Sequence, residues 1–208
     1  MPGPVEELFS KIFIRNKKPF QNKVKAVLLY FSGLSYRKTG KETYMSRENV
    51  RKLFRKARKF LKEIKPVKRK TIAMDETKLD GFYVWIARDI ERKEIIALHV
   101  SKGRSSLEAF VFVKKVLSKC IGKPELILVD KGPWYKWVLE RFGLRYEHER
   151  FGKRNSIESW FFVLKYRTKR FYNCFRRNAK DVGRCVEEFA ESFAGVYNLI
   201  VWAKGGLS

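Results

Sequence analysis

The amino-acid sequence predicts a mixed α/β fold (residues 67–208) preceded by a small all-helical head (residues 1–66). Apolar residues recur at helical spacing through most of the head, whereas short aromatic and β-branched runs separated by turn residues begin at residue 71. One amphipathic helix, 105–119, then separates the third strand from the fourth. A helical crossover of this kind joins parallel strands, so the fourth strand is expected to run parallel to an earlier one.

The head is predicted to contain three short helices. The first is the compact apolar run 21–32, and the hydroxyl groups of Ser35 and Ser46 are suited to cap the second and third. The third helix, 46–62, carries apolar residues on one face and cations on another. A cationic amphipathic helix after a tight turn is typical of a helix-turn-helix, whose last helix enters the major groove of DNA.

The charge balance indicates a polyanionic partner. The chain carries 47 Lys+Arg against 22 Asp+Glu, a formal net charge of +25, and nucleic acid is the default partner of such a field. Residues 1–70 hold 21 of the basic residues and only 5 of the acidic ones, so the head is expected to supply most of the DNA contacts. The predicted DNA-binding residues are Arg47, Asn49, Arg51, Arg55, Arg58, Lys62, Arg167 and Arg170.

Several classes of protein are disfavoured by the composition. No apolar run approaches the roughly 18 residues of a membrane span, and the N-terminus lacks a signal-peptide pattern, which predicts a soluble cytosolic protein. The three cysteines, Cys120, Cys174 and Cys185, form no C-x-x-C pair. A structural zinc site and disulfides are therefore not expected.

Residues 67–208 are predicted to form one sheet with flanking helices, after a linker marked by Pro66 and the charged run Lys68-Arg69-Lys70. The capping-box pattern Ser105-Ser106-Leu107-Glu108 introduces the crossover helix. The predicted elements are, in order, strands 71–75, 82–90 and 94–100, helix 105–119, strand 125–130, helix 134–142, strand 145–150, a helix capped by Ser156 and a final helix 181–202.

Two predicted parallel strands end in an aspartate, the first at Asp75 and the fourth at Asp130. Parallel strands present their carboxyl ends at one edge of a sheet, so the two carboxylates are expected to meet there. Like charges at short distance repel unless a cation lies between them, and hard divalent ions prefer carboxylate oxygens. Glu158, early in a helix, is the best third carboxylate, and Lys165 lies two turns further on the same face, placed to meet a phosphate.

These residues resemble the DDE transposases of insertion-sequence family six, which have a ribonuclease-H-like catalytic core. The resemblance covers about residues 25–170, including Leu34-Ser35-Tyr36-Arg37 and 45–50 of the head. Its main segments are Met74-Asp75-Glu76-Thr77, Val129-Asp130-Lys131-Gly132 with Tyr135, and Asn155-Ser156-Ile157-Glu158 followed by Lys165-Tyr166-Arg167.

The resemblance implies a ribonuclease-H-like mixed sheet in which Asp75, Asp130 and Glu158 bind two Mg2+ ions, with Mn2+ as a substitute. It further implies that Lys165 contacts DNA near the scissile phosphate. The interval between Asp130 and Glu158 is short for this family, so Glu147 and Glu149 are alternative third carboxylates.

The expected function is that of an insertion-sequence transposase, which binds the terminal repeats of its element and catalyses metal-dependent cleavage and transfer of DNA strands. Its expected partners are double-stranded DNA and at least one further copy of the chain, in the nucleoid of a prokaryote. Two alternatives remain open: a DNA-binding regulator or domesticated relative whose acids only form turns, and a plain metal-dependent nuclease.

The aromatics near Asp130, which are Trp134, Tyr135 and Trp137, are interpreted as core and rim residues in preference to stacking groups for an unpaired base.

Overall fold

The computed structural model describes residues 19–148, 155–169 and 181–205, which divide into two compact units. One unit, the head, comprises residues up to 63 together with residues from 191 onward; the other, the sheet unit, comprises residues 64–190. The sequence-based division at 66 assigned the whole of the last helix to the second domain, whereas the structure groups its C-terminal half with the head. None of the helices in the described ranges is long and apolar enough to cross a membrane.

The first helices of the head follow the sequence closely. Ser35 accepts a hydrogen bond from the Lys38 amide at 3.2 Å, and Ser46 accepts one from the Asn49 amide at the same distance, so both predicted caps are confirmed. The helices are α1 (Phe20–Phe31), α2 (Tyr36–Thr43), α3 (Arg47–Lys56) and α4 (Arg58–Lys62).

A tight turn joins α2 to α3. A Cβ at Gly40 would lie 2.5 Å from the Met45 carbonyl oxygen, so the helix can approach this turn only with glycine at that position. Tyr30 of α1 stacks on Tyr36 with ring centroids 4.0 Å apart and meets the edge of Phe54 at 4.7 Å. The three helices therefore share one small core, arranged helix, turn, helix as the sequence predicted.

The expectation of a continuous helix over 46–62 is wrong, because the helix is interrupted at Ala57. Two bonds of the tighter i to i+3 type flank the interruption: the Ala57 amide to the Phe54 carbonyl and the Phe60 amide to the Ala57 carbonyl, both 3.0 Å. The cause lies in the last helix, α8 (Val182–Gly205), whose Gly195 abuts the Ala57 carbonyl. The cations predicted to line one helix face are consequently divided between α3 and α4.

Replacing Gly195 by alanine is expected to destabilise the protein by roughly 2 kcal/mol, because a Cβ there would lie 2.0 Å from the Ala57 carbonyl oxygen and the backbone would have to shift. The urea midpoint of unfolding measures the effect. The matched control is Gly205→Ala, since nothing lies within 4 Å of a Cβ at that end of the same helix. Equal midpoints for the two variants would contradict the packing argument.

The sheet unit contains a five-stranded mixed sheet in the order β3, β2, β1, β4, β5. Strands β1, β2 and β3 pair antiparallel, whereas β1, β4 and β5 pair parallel. This topology with flanking helices is ribonuclease-H-like and confirms the predicted fold class. The strands are β1 (Thr71–Leu79), β2 (Phe82–Asp89), β3 (Ile95–Ser101), β4 (Leu126–Val129) and β5 (Tyr146–His148).

Helices α5 (Ser106–Leu117) and α6 (Pro133–Arg141) pack together over the sheet core. Trp85 of β2 is fully buried, with its ring 5.9 Å from that of Phe112 in α5 and 5.8 Å from that of Tyr135 in α6. The predicted cap of α5 is confirmed, because the Ser105 hydroxyl accepts a hydrogen bond from the Glu108 amide at 3.3 Å. Helix α7 (Asn155–Lys169) contacts β1.

Strand β1 is longer than the sequence predicted, since it continues past Asp75 to Leu79. The antiparallel ladder with β2 runs from the pair Ile72 and Asp89 to the pair Leu79 and Phe82, which keeps the backbone extended. Asp75 therefore lies inside the strand, where the sequence placed it at the end.

The segment predicted as a linker belongs in part to the sheet unit. Arg69, within the charged run 68–70, has a fully buried side chain. Its guanidinium donates hydrogen bonds to Asp89 Oδ2 at 2.5 Å, Glu94 Oε1 at 2.9 Å and the Lys119 carbonyl at 2.9 Å. The linker interpretation is wrong for this residue, because its charge is paired inside the fold.

Candidate active site

Asp75 lies on β1, and Asp130 directly follows the neighbouring parallel strand β4. The ladder pairs Thr71 with Leu126, Ile72 with Ile127 and Ala73 with Leu128. Continued by two residues, the same register places Asp75 beside Asp130, which follows the last residue of β4. The parallel pairing of β1 and β4 expected from the crossover helix is confirmed, whereas a site shared by the two carboxylates stays a prediction.

Backbone groups hold both aspartates in place. Asp75 is 7% exposed, and its Oδ1 accepts a hydrogen bond from the Glu76 amide at 2.9 Å. Asp130 Oδ1 accepts one from the Gly132 amide at 2.9 Å, and His148 of β5 bonds the Asp130 carbonyl through Nδ1 at 2.8 Å. A Cβ at Gly132 would lie 2.6 Å from the Trp134 ring and 2.9 Å from Asp130 Oδ1, so a larger residue in this turn would displace those side chains.

Glu76 is a third carboxylate close to Asp75 and Asp130. It was assigned no role from the sequence. Its side chain is 2% exposed, and it accepts hydrogen bonds from the Tyr135 hydroxyl at 3.0 Å and from Arg104 Nη1 at 3.5 Å. Burial and the negative charges of Asp130 and Asp75 raise the pKa of Glu76 to about 7, although the two hydrogen bonds oppose the shift. The three carboxylates thus repel one another.

The Tyr135 hydroxyl is a fixed hydrogen-bond donor in this cluster. Burial raises its pKa well above the ordinary value, and the charge of Glu76 acts in the same direction. The phenol therefore stays protonated and donates to Glu76 throughout the range in which Glu76 titrates. Since Tyr135 is fully buried, the interpretation of this residue as a core aromatic is confirmed.

The raised pKa of Glu76 predicts a pH-dependent stability of the metal-free protein. A carboxyl group with a folded pKa above its unfolded value favours folding below the unfolded pKa of 4.5, and this contribution is lost as the pH rises through about 7. Glu76→Gln removes the charge and keeps an acceptor for Tyr135. The variant is expected to exceed the parent in free energy of unfolding by on the order of 3 kcal/mol at pH 8, and by little at pH 4.5.

Urea titrations at the two pH values with EDTA present measure this difference. The exposed Glu140→Gln serves as the control and should show no comparable pH dependence relative to the parent. A constant gap between Glu76→Gln and the parent across the range would contradict the assignment.

The donor set at the sheet edge suits a hard divalent cation, since carboxylate oxygens repel each other unless a cation lies among them. Within the described ranges, however, no three His, Cys, Asp or Glu side chains lie close enough together to hold a metal ion. Glu158 is exposed in the first turn of α7, the helix that contacts β1, and Lys165 is exposed further along it. Of the alternatives, Glu147 is 56% exposed and 3.5 Å from Arg145, and Glu149 lies outside the described residues.

The predicted DNA-binding residues occupy varied positions. Arg47 and Asn49 are exposed in the first turn of α3, whereas Arg51 forms two hydrogen bonds to Glu48, at 2.6 and 2.9 Å, which lower the pKa of Glu48. Lys62 lies 3.4 Å from Glu191. Arg55 and Arg58 are partly exposed.

The two predicted contacts in the last third of the chain are less accessible. Arg167 is 3% exposed, which is not the surface position expected of a phosphate contact. Arg170 lies outside the described residues.

Two aromatics next to Tyr135 lie nearer the surface. Trp134 is partly buried, and the Arg104 guanidinium lies 4.5 Å from its ring centroid. Trp137 is 50% exposed and contacts Phe110 and Arg141. Both tryptophans therefore lie at the rim of the core, as the sequence analysis expected.

Sequence reasoning missed Glu76 and Arg104, the two groups that add charge to the Asp75 and Asp130 pair. Their approach depends on the β3 to α5 connection and on α6 folding over the sheet edge, and no local spacing reports either contact. One available signal was the acidic pair Asp75-Glu76 in a buried run, because a strand directs adjacent side chains to opposite faces and both carboxylates then need partners.

Two known proteins are similar to this chain in sequence. An uncharacterized protein of Methanocaldococcus jannaschii is 42% identical over 202 residues, which cover 93% of this chain and 92% of the relative. An uncharacterized protein of Aquifex aeolicus is 41% identical over 58 residues, 28% of this chain and 48% of that protein.

Two solved structures are similar to parts of the chain. The catalytic core domain of BIV integrase gives a TM-score of 0.45 at 14% identity, covering 61% of this chain and 80% of that one. The intasome of simian T-cell lymphotropic virus in complex with a PP2A regulatory subunit gives a TM-score of 0.47 at 13% identity, covering 70% of this chain and 50% of that one.

A family model described as a DDE domain matches residues 69–193, more than half of the chain and the whole of the sheet with its carboxylates. The model is that of IS240-type transposases, so it supports a DDE transposase, while the assignment to insertion-sequence family six stays a prediction. The chain belongs to the DDE transposase-domain family.

Proposed function

We propose that this protein is the transposase of an insertion sequence, which binds the terminal repeats of its element and cleaves and joins DNA strands with the help of divalent metal ions. The observation that carries the proposal is the parallel pairing of β1 with β4, in a chain that belongs to the DDE transposase-domain family. Continued by two residues, the register of this pairing would bring Asp75 beside Asp130.

The carboxylates of Asp75 and Asp130 would hold the metal, with Glu158 of α7 as the proposed third group and Mg2+ as the proposed ion. Divalent ions at such a site activate water or a DNA 3′-hydroxyl and stabilise the leaving oxygen of the phosphodiester. The protein's own contribution is to fix its acids before the substrate arrives. The Gly132 amide and His148 hold Asp130, and the Glu76 amide holds Asp75.

DNA contacts are proposed for two surfaces. Arg47 and Asn49, exposed in the first turn of α3, are suited to read base edges in a major groove. Lys165, exposed on α7, is proposed to bind the DNA backbone near the scissile phosphate.

Because two element ends have to be joined to one target, the active form is proposed to contain at least two copies of the chain. The net charge of +25 favours association with the nucleoid.

The test uses a supercoiled plasmid that carries the gene with its flanking DNA. With Mg2+ or Mn2+ the purified protein is expected to nick the element ends and to join them to a second plasmid, and EDTA should prevent both steps. Cleavage without any joined product would favour a plain nuclease. Specific binding to the flanks without cleavage in either metal would favour a regulator and overturn the proposal.

A further inference from the structure

Arg104 lies in the connection between β3 and α5 and reaches Glu76, one of the carboxylates of the candidate active site. Its guanidinium carbon is 4.5 Å from the ring centroid of Trp134 and 4.9 Å from that of Tyr83. One nitrogen, Nη1, is 3.5 Å from Glu76 Oε1. The side chain is nevertheless 43% exposed.

The two aromatic rings orient the guanidinium without using its hydrogen-bond donors. Cation–π contacts of this kind need none of the five N–H donors of the guanidinium, which can still form hydrogen bonds. Among the residues that the structure describes, only Glu76 accepts a hydrogen bond from Arg104. Most of the donors therefore remain available to a ligand.

Neutralisation of Glu76 alone does not account for this arrangement. The 3.5 Å contact is long for a charge-assisted hydrogen bond, for which about 2.7–2.9 Å is usual. Tyr135 already bonds the same carboxylate at 3.0 Å, and a guanidinium serving only that carboxylate would gain by closing on it. The arginine instead keeps its guanidinium close to two aromatic rings and a large part of its surface in water.

The ligand that matches these donors is a phosphodiester. A guanidinium presents two parallel N–H groups to two phosphate oxygens, which an ammonium group cannot do. Glu76 beside it, together with the negative charges of Asp75 and Asp130 that act on Glu76, would repel a phosphate. A cation at this place supplies the attraction that substrate binding needs.

We propose that Arg104 binds a phosphate of the DNA strand that is processed at Asp75 and Asp130, and that Tyr83 and Trp134 hold its guanidinium in the plane required for two hydrogen bonds. This inference rests on the proposed function, since it takes DNA as the substrate of that site. Arg104 is thus a substrate-positioning residue, while Glu76 keeps it close to the acids when no DNA is bound.

The first test measures DNA binding in EDTA, where no cleavage occurs. Loss of one phosphate contact reduces the slope of log K against log [NaCl] by about 0.9 for duplex DNA. Arg104→Gln is expected to show this reduction. The matched control is Arg141→Gln, which removes an arginine that also lies against a tryptophan, 5.5 Å from the Trp137 ring, at the C-terminal end of α6. An unchanged slope for Arg104→Gln, or equal changes in both variants, would overturn the inference.

The second test separates positioning from structure. With Mg2+, Arg104→Gln is expected to cleave DNA about a hundredfold more slowly than the parent, and Arg104→Lys about tenfold, because lysine keeps the charge and loses the planar pair of donors. Thermal midpoints of the variants should match that of the parent. A parallel fall in midpoint and activity would indicate a structural role and refute the proposal. A parent that cleaves no DNA would refute the proposed function instead, while the binding slopes still decide the role of Arg104.

Discussion

Replacing Asp130 by asparagine is expected to reduce metal-dependent DNA cleavage and joining at least about a thousandfold, equivalent to about 4 kcal/mol of transition-state stabilisation. Asparagine keeps an oxygen that can accept the hydrogen bond from the Gly132 amide, so the turn after β4 should keep its shape. What is lost is the charge that would hold a divalent ion together with Asp75. The folded protein should gain stability without metal, because one of the charges that raise the pKa of Glu76 is removed.

Two measurements check this expectation: product formation on the element-bearing plasmid with Mg2+, and the urea midpoint in EDTA. Asp80→Asn is the matched control, since Asp80 is exposed in the β1 to β2 turn at φ 49°, a conformation that asparagine also tolerates. If Asp130→Asn cuts and joins DNA as well as Asp80→Asn does, the carboxylate pair is not the active site.

Replacing Arg69 by methionine is expected to lower the free energy of unfolding by roughly 3–5 kcal/mol, the usual cost of removing one partner from a buried ion pair. Its side chain is fully buried, and it bonds both Asp89 and Glu94, whose side chains are also buried. Without the guanidinium, two negative charges would face each other inside the protein. The Lys119 carbonyl would also lose its donor.

Chemical denaturation of the metal-free protein measures this loss. Lys68→Met, at an exposed position one residue from Arg69, should change stability by no more than about 0.5 kcal/mol. Adding Asp89→Asn and Glu94→Gln to Arg69→Met should recover much of the stability, because the unpaired charges are then gone. A triple variant no more stable than Arg69→Met would show that the lost stability comes from packing and not from charge.

The sequence was most informative where short-range chemistry decides the structure. Ser35, Ser46 and Ser105 each cap a helix through an amide three residues on, and all three contacts were predictable from residue type and spacing. The crossover helix similarly determined that β4 runs parallel to β1. From that pairing followed the expectation that Asp75 and Asp130 share one edge of the sheet.

The predictions that were wrong concern residues whose structure depends on contacts between distant segments of the chain. The break at Ala57 comes from Gly195, far along the chain, and the buried position of Arg69 comes from Asp89 and Glu94 on the neighbouring hairpin. Each of these residues looks ordinary in its local context, since alanine is a good helix former and arginine in a charged run is usually solvated.

The residues of the candidate site likewise include some that local sequence predicts and some that depend on distant contacts. The direction of β1 and β4 was accessible to sequence reasoning, and the roles expected for Asp75 and Asp130 from that direction stay predictions. Glu76 acquires its importance from the Tyr135 hydroxyl and Arg104, contacts that span the sheet edge. The proposed role of Glu158 as third carboxylate stays a prediction, since its place on α7 brings it near β1 without forming a three-carboxylate group among the described residues.

The two aspartates are held with different rigidity, because only Asp75 lies within a strand. Asp75 lies inside a nine-residue strand, whereas Asp130 lies beyond the end of a four-residue strand. Amide hydrogen exchange at Asp75 should therefore need cooperative opening of the sheet, while the Asp130 turn can open locally at far lower cost. On gradual warming, the turn would loosen first and Asp75 would keep its position until the β1 to β2 hairpin comes apart.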